Sequence, residues 1–252
     1  MEYITFLLIG MIGGTVSSLM GIGGGIVIIP LLLYISGVDI KTVTAISMVH
    51  NVFASISGTI FNYYQKTIIF RYSVYFGLSS MAFSFLGGYL TSFIPELTIK
   101  ILYLAALTLS FVLLLLRSKI TGHKVKPSKS DIYKIILIGV VAGFMAGLLG
   151  IGGGFLFVPA LLFFTGLTMN LATGTSLGAI IFTSIPGLAG KLLSVDFNIL
   201  FGLTVGLGAI GGARLGTYLK RKINHFITKI IFILFFIVSF AIVIIDIFSR
   251  IN

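Results

Sequence analysis

Apolar runs of 11 to 23 residues, parted by short polar or glycine-rich breaks, fill the chain almost from end to end. In the first half they cover about 4–20, 26–36, 42–62, 72–92 and 98–117, and in the second about 134–149, 155–165, 171–190, 197–219 and 229–248. Most match the ~20 residues a helix needs to cross a ~30 Å hydrocarbon layer. The second run of each half is too short to cross alone. Taken with the first run as one straight helix, it would reach ~50 Å at 1.5 Å per residue, too long for an ordinary span. The pattern therefore predicts that the chain bends or reverses between those two runs, at Gly21-Ile22-Gly23-Gly24-Gly25 and again at Gly150-Ile151-Gly152-Gly153-Gly154.

These breaks belong to a tandem duplication at a constant offset of 129, as in Gly21/Gly150, Pro30/Pro159, Ser47/Ser176, Tyr89/Tyr218 and Lys100/Lys229. The halves run 1–117 and 134–252, joined by a basic polar linker at 118–133. Backbone freed from helical hydrogen bonding at bilayer depth persists only where protein or an aqueous cavity surrounds it. Paired interruptions in corresponding halves are the sequence pointer to a transporter's central site.

Composition agrees with a membrane solvent: 58% of the 252 residues are hydrophobic, 9% are charged, and the mean hydropathy is +1.17. The start, Met1-Glu2-Tyr3, lacks a basic n-region, so the run from Ile4 is expected to be the first membrane segment. The net charge of +11 is sorted by loop, which argues against a nucleic-acid partner. If each break reverses its chain, one side collects Lys66, Arg71, the six basic residues from Arg117 to Lys134 and Lys220 to Lys229, with twelve basic residues against the single acid Asp131. The other side holds Lys41, Lys100, Lys191 and Arg250 against Glu2, Asp39, Glu96, Asp196 and Asp246. The positive-inside rule then makes the linker cytoplasmic, in the cell (inner) membrane, with both termini outside. Five segments per half make the halves inverted relative to each other, which is how many secondary transporters obtain alternating access. The expected fold class is an all-α integral membrane protein of two inverted halves, with glycine-broken hairpins meeting near the bilayer midplane.

At the two Gly-Ile-Gly-Gly-Gly…Pro stretches, at Ala172-Thr-Gly-Thr-Ser176 and at Gly211-Gly-Ala-Arg-Leu-Gly216, the chain resembles the sulfite exporter TauE/SafE family. The likeness spans essentially the whole length. It implies a permease for small sulfur-containing anions such as sulfite and organosulfonates, or for other organic anions. The chain has no cysteine, so a cysteine relay for sulfur is closed to it.

Glycines Gly21, Gly23, Gly24, Gly25, Gly150, Gly152, Gly153 and Gly154 are the first candidates for substrate binding. Glycine allows positive φ and close backbone approach. Helices starting just after the breaks would aim free N–H groups and positive dipole ends into them. Pro30 and Pro159 are expected within an early helical turn, where a missing N–H costs little. The plain alternative is tight hairpin packing. The spacings Gly10/Gly14 and Gly208/Gly212/Gly216 read as close helix contact.

In the third runs, Ser47, Asn51, Thr175 and Ser176 offer neutral donors that suit an oxyanion which must bind and then leave. Asn51 also matches the family pattern. Against this, such groups often only bond their own helix or a neighbour. His50 is a candidate for coupling to protons, although its repeat partner is Ala179. Arg214 lies inside a span near its end, where attraction of substrate competes with snorkelling to the interface. Lys191, near the outer end of its run, would draw anions or mark the interface. No cofactor or metal is called for, and no Lys-Ser/Thr follows the glycines as a phosphate loop requires. Partners are a small anion, the bilayer and, for coupling, protons. An anion channel is the competing reading; oligomeric state is not encoded in these patterns.

Overall fold

The computed structural model describes residues 2–116, 129–220, 222–223 and 225–249. They form ten helices and no strand among the described residues: α1 Glu2–Met20, α2 Gly25–Ser36, α3 Ile40–Tyr64, α4 Phe70–Leu90 and α5 Glu96–Leu116, then α6 Lys129–Leu149, α7 Gly154–Thr165, α8 Met169–Leu192, α9 Ile199–Leu219 and α10 His225–Ser249. Six of them (α1, α3, α5, α6, α8 and α9) are long and apolar enough to cross a membrane. Helix α6 starts at Lys129, inside the stretch assigned to the linker, while residues 117–128 lie outside the described ones.

Why the breaks stop the helices is visible in the backbone. Gly21 and Gly23 take φ of 69° and 88°, and Gly150, Gly152 and Gly153 take 70°, 90° and 82°. Those values lie in the left-handed region that side-chain-bearing residues avoid. The chain then folds back. Ile28 of α2 packs on Gly13 of α1, where a Cβ would stand 2.5 Å from Ile28 Cγ1. In a continuous helix those residues would sit ~22 Å apart. Helices α2 and α7 both end in left-handed glycine caps, Gly37 and Gly166.

The halves interlock rather than sit side by side. Helix α1 packs along α9 and its repeat image α6 along α4; α3 packs on α9 as α8 does on α4; α2 meets α10 as α7 meets α5; and α3 meets α8 at the centre. Glycines make the first contact close. Cβ atoms on Gly208, Gly212 and Gly216 would fall 2.1, 2.0 and 2.2 Å from the carbonyl oxygens of Leu7, Met11 and Thr15. With lipid as apolar as leucine, such backbone-to-backbone packing holds helices together where the hydrophobic effect cannot. Outward faces carry Leu7, Ile12, Leu78, Leu137, Leu203 and Leu207, all exposed as a lipid solvent requires.

Contacts at the two ends sort the loops. At one end, Lys220 Nζ donates to Asn170 O at 3.0 Å, Gln65 Nε2 to Thr217 O at 3.5 Å and Ile69 N to Thr175 Oγ1 at 3.0 Å. At the other, Lys41 Nζ donates to Ser92 O at 2.7 Å, Thr42 Oγ1 to Asp196 O at 3.5 Å and Ser194 Oγ to Gly88 O at 3.2 Å. An ion pair of 2.5 Å joins Lys100 of α5 to Asp246 of α10.

Candidate functional site

The two glycine breaks touch at the centre. A Cβ on Gly25 would lie 2.5 Å from Gly150 O and 2.6 Å from Ile151 Cα, and one on Gly154 would lie 2.4 Å from Gly21 O and 2.7 Å from Ile22 Cα. All ten break residues are buried. Neither α2 nor α7 has a side-chain cap: their N-cap residues are Gly24 and Gly153. Two helix N-termini without side-chain caps of their own thus meet at one buried point, each with partial positive charge.

Side chains of α3 and α8 lash the breaks across the halves. Ser47 Oγ donates to Gly150 O at 2.8 Å, and its image Ser176 Oγ donates to Gly21 O at 2.6 Å. Asn51 does more. Its Nδ2 donates to Gly150 O at 2.8 Å while its Oδ1 accepts from Gly24 N at 2.8 Å, so one amide ties both breaks. Thr183 Oγ1 donates to Gly152 O at 2.9 Å. Ser47, Asn51 and Ser176, expected to face an anion, are therefore engaged with break carbonyls in this conformation. The reason is energetic: a buried carbonyl left without a donor costs about 1–3 kcal/mol, and these are the donors within reach.

The symmetry is incomplete. The image of Asn51 is Ile180, which cannot accept from Gly153 N. Correspondingly Gly24 is right-handed (φ −78°) and Gly153 left-handed (φ 82°).

His50 lies against the first break, its ring over Gly24 and beside Gly13. Nε2 is 3.3 Å from Gly10 O, which can only accept, so Nε2 carries the hydrogen. Nδ1 is buried and without a hydrogen-bond partner. Of the remaining sequence candidates, Thr175 sits away from the breaks, accepting from Ile69 N and from Ser73 Oγ at its carbonyl, where it anchors the start of α4. Arg214 is on the exposed face of α9 with its guanidinium 5.8 Å from the Phe61 ring centre. Lys191 is expected from the sequence either to draw anions or to mark the interface. It marks no interface: it is fully buried, and its Nζ donates to Thr44 Oγ1 (2.9 Å), Thr91 Oγ1 (2.9 Å) and Leu148 O (3.2 Å). At the Lys220 end, the ammonium of the half-buried Lys220 is crowded by its surroundings, and this pulls its pKa down to about 7.

Pro30 also corrects an expectation. It is the sixth residue of α2, beyond the first turn, so its missing N–H orphans Ile26 O. Tyr103 Oη of α5 (3.2 Å) and Ser239 Oγ of α10 (2.8 Å) donate to that carbonyl. Neither residue stands out in the sequence, because a proline announces that a donor is needed without saying which helix brings it.

The sulfite exporter TauE/SafE family profile matches residues 6–242. The chain is 30% identical over 247 residues to the probable membrane transporter protein YunE of Bacillus subtilis, covering 89% of this chain and 90% of that protein. It is 29% identical to a probable membrane transporter protein of Methanocaldococcus jannaschii over 86% of both chains, and 27% identical to the probable membrane transporter protein YdhB of Bacillus subtilis over 86% and 89%. No solved structure matches it. A bundle of membrane-length helices, two broken helices that meet at its core and a family match over nearly its whole length agree: this multi-pass membrane transporter belongs to the sulfite exporter TauE/SafE family.

Proposed function

We propose that the protein is a secondary carrier of small anions, with sulfite or organosulfonates as its substrate class, working by alternating access between two inverted halves. The observation that carries this reading is the meeting of two uncapped helix N-termini at the buried glycine breaks. Such a centre attracts negative charge without a formal cation, so an anion can bind there and still leave. Cross-half bonds support the motion. Ser47 to Gly150 and Ser176 to Gly21 are exchange images, so loosening one while tightening the other trades the two halves' conformations. Inversion is supported by α8 starting beside the end of α3, where a Cβ on Gly174 would lie 3.1 Å from Asn62 Oδ1. With basic loops gathered at the Lys220 end, the positive-inside rule puts that end in the cytoplasm of the inner membrane. His50, with its unpartnered Nδ1 on Gly24, is the proton-coupling candidate.

A thermal-shift screen of purified protein against sulfite, methanesulfonate, sulfate and acetate tests the substrate class; stabilisation by the sulfur oxyanions over acetate is expected. Saturable counterflow of the stabilising anion in proteoliposomes identifies a carrier. Ion currents far above carrier turnover identify a channel instead, and stabilisation by acetate alone would move the substrate to non-sulfur organic anions.

A further inference from the structure

Two lysines occupy equivalent places on either side of the central break. Position 191 is the repeat image of Asn62 and position 220 that of Thr91. Lys191 Nζ bonds Thr91 Oγ1 at 2.9 Å, and Lys220 Nζ bonds Asn62 Oδ1 at 3.2 Å. Each lysine therefore contacts the first-half residue that stands where the other lysine would be. Chance placement of two cations does not give that exchange.

Both are wired to the first glycine of a break. Lys191 bonds Thr44 Oγ1, and Thr44 is the residue on which Gly150 packs, with a Cβ there 2.5 Å from Thr44 O. Lys220 bonds Asn170 O, which also accepts from Thr173 Oγ1 at 3.1 Å; Thr173 is the residue on which Gly21 packs. Thr44 Oγ1 donates to Lys41 O and Thr91 Oγ1 to Gly87 O, so both hydroxyls accept from Lys191. With Leu148 O that gives Lys191 Nζ three polar partners, as many as an ammonium has N–H donors. Its partners are all neutral, so this buried lysine has no carboxylate against it. Cations at bilayer depth are costly and mark ion pathways.

We propose that Lys191 and Lys220 are twin anion-receiving sites, one at each mouth of the glycine break, which take up a small oxyanion from opposite faces of the membrane. This rests on the carrier reading above and names the groups through which its anion enters and leaves. Lys191 is fully buried and Lys220 only partly so, which makes Lys220 the more accessible of the two in this conformation.

Two measurements separate this pairing from the carrier reading. The first needs no transport. The chain has no cysteine, so Asn170→Cys, on an exposed residue beside Lys220, gives a single reporter. Its labelling is compared between a sulfonate-bearing and an ammonium-bearing methanethiosulfonate. A unit charge roughly 6 Å away in water changes the local level of a monovalent ion about threefold, so Lys220→Met should cut the anion-to-cation ratio about tenfold. The second measures sulfite or methanesulfonate counterflow from each face of oriented proteoliposomes. Lys220→Met should raise KM about tenfold at its own face only, and Lys191→Met at the opposite face only, with Lys191→Arg restoring most of the loss. If wild type carries neither anion, the carrier reading fails while the labelling ratio still reports on Lys220. An unchanged labelling ratio, or KM effects equal on both faces in variants that elute as folded protein, would overturn the twin sites.

Discussion

Replacing Asn51 by Leu probes the strut between the breaks. The exchange keeps roughly the same volume but removes one amide that accepts from Gly24 N and donates to Gly150 O, both at 2.8 Å. Gly24 N is buried, and an amide left without an acceptor costs about 1–3 kcal/mol. Gly150 O keeps the Ser47 hydroxyl, so its loss is that of one ordinary hydrogen bond, about 1 kcal/mol. Together these amount to roughly 2–4 kcal/mol, a fall in melting temperature on the order of 10 °C for a chain of this size. Thermal unfolding in detergent, followed by intrinsic tyrosine fluorescence, measures the shift. A cycle with Ser47→Ala sharpens it. Removing Ser47 alone leaves Gly150 O with Asn51, but the double variant strands it, so the combined loss should exceed the sum by about 1–3 kcal/mol. Transport should be lost in Asn51→Leu, because the breaks are no longer held in register. A variant that melts within about 2 °C of wild type and carries anions at the wild-type rate would refute the strut.

Gly25→Ala should abolish transport while leaving membrane insertion intact, since its methyl would stand 2.5 Å from Gly150 O, a backbone atom that cannot yield cheaply. Gly211→Ala is the matched control: nothing lies within 4 Å of its Cβ, so counterflow should be unchanged and stability unchanged or raised by up to about 1 kcal/mol. Tyr103→Phe should cost about 1 kcal/mol by thermal unfolding, because Ser239 still serves Ile26 O; adding Ser239→Ala orphans that carbonyl and should cost a further 1–3 kcal/mol or so. Lys220 titrates at about 7 because burial disfavours its charge, so the ammonium is present below that pH and lost above it. Anion uptake from its face should therefore fall as the pH there rises through about 7, and Lys220→Arg, charged throughout, should flatten the profile in a flux assay.

The helices and their breaks were legible in the residues, because each is fixed locally. Twenty apolar residues must be helical in lipid to satisfy their own backbone, and a glycine run is where that pattern fails. The duplication carried more: it located both breaks, and Ser47 and Ser176 proved to make image-related bonds to them. What the chain could not announce was the destination of each donor. Asn51 reads as a lining residue until Gly24 and Gly150 are brought to its two ends. Lys191 reads as an anion-drawing or interfacial charge because it lies one residue from the end of its helix, yet three oxygens from α3, the turn at Thr91–Phe93 and α6 enclose it. Arg214 shows the reverse, inside a span by position and on its outer face in space.

Sequence alone determined where the chain is helical and where it breaks, at two matching glycine runs, since periodicity, length and glycine content act over a few residues. Tertiary structure alone decided which half holds which break, because the contacts from Ser47, Asn51 and Ser176 join residues from 99 to 155 positions apart. Pairings at that range follow from how whole helices pack, and no local pattern encodes them.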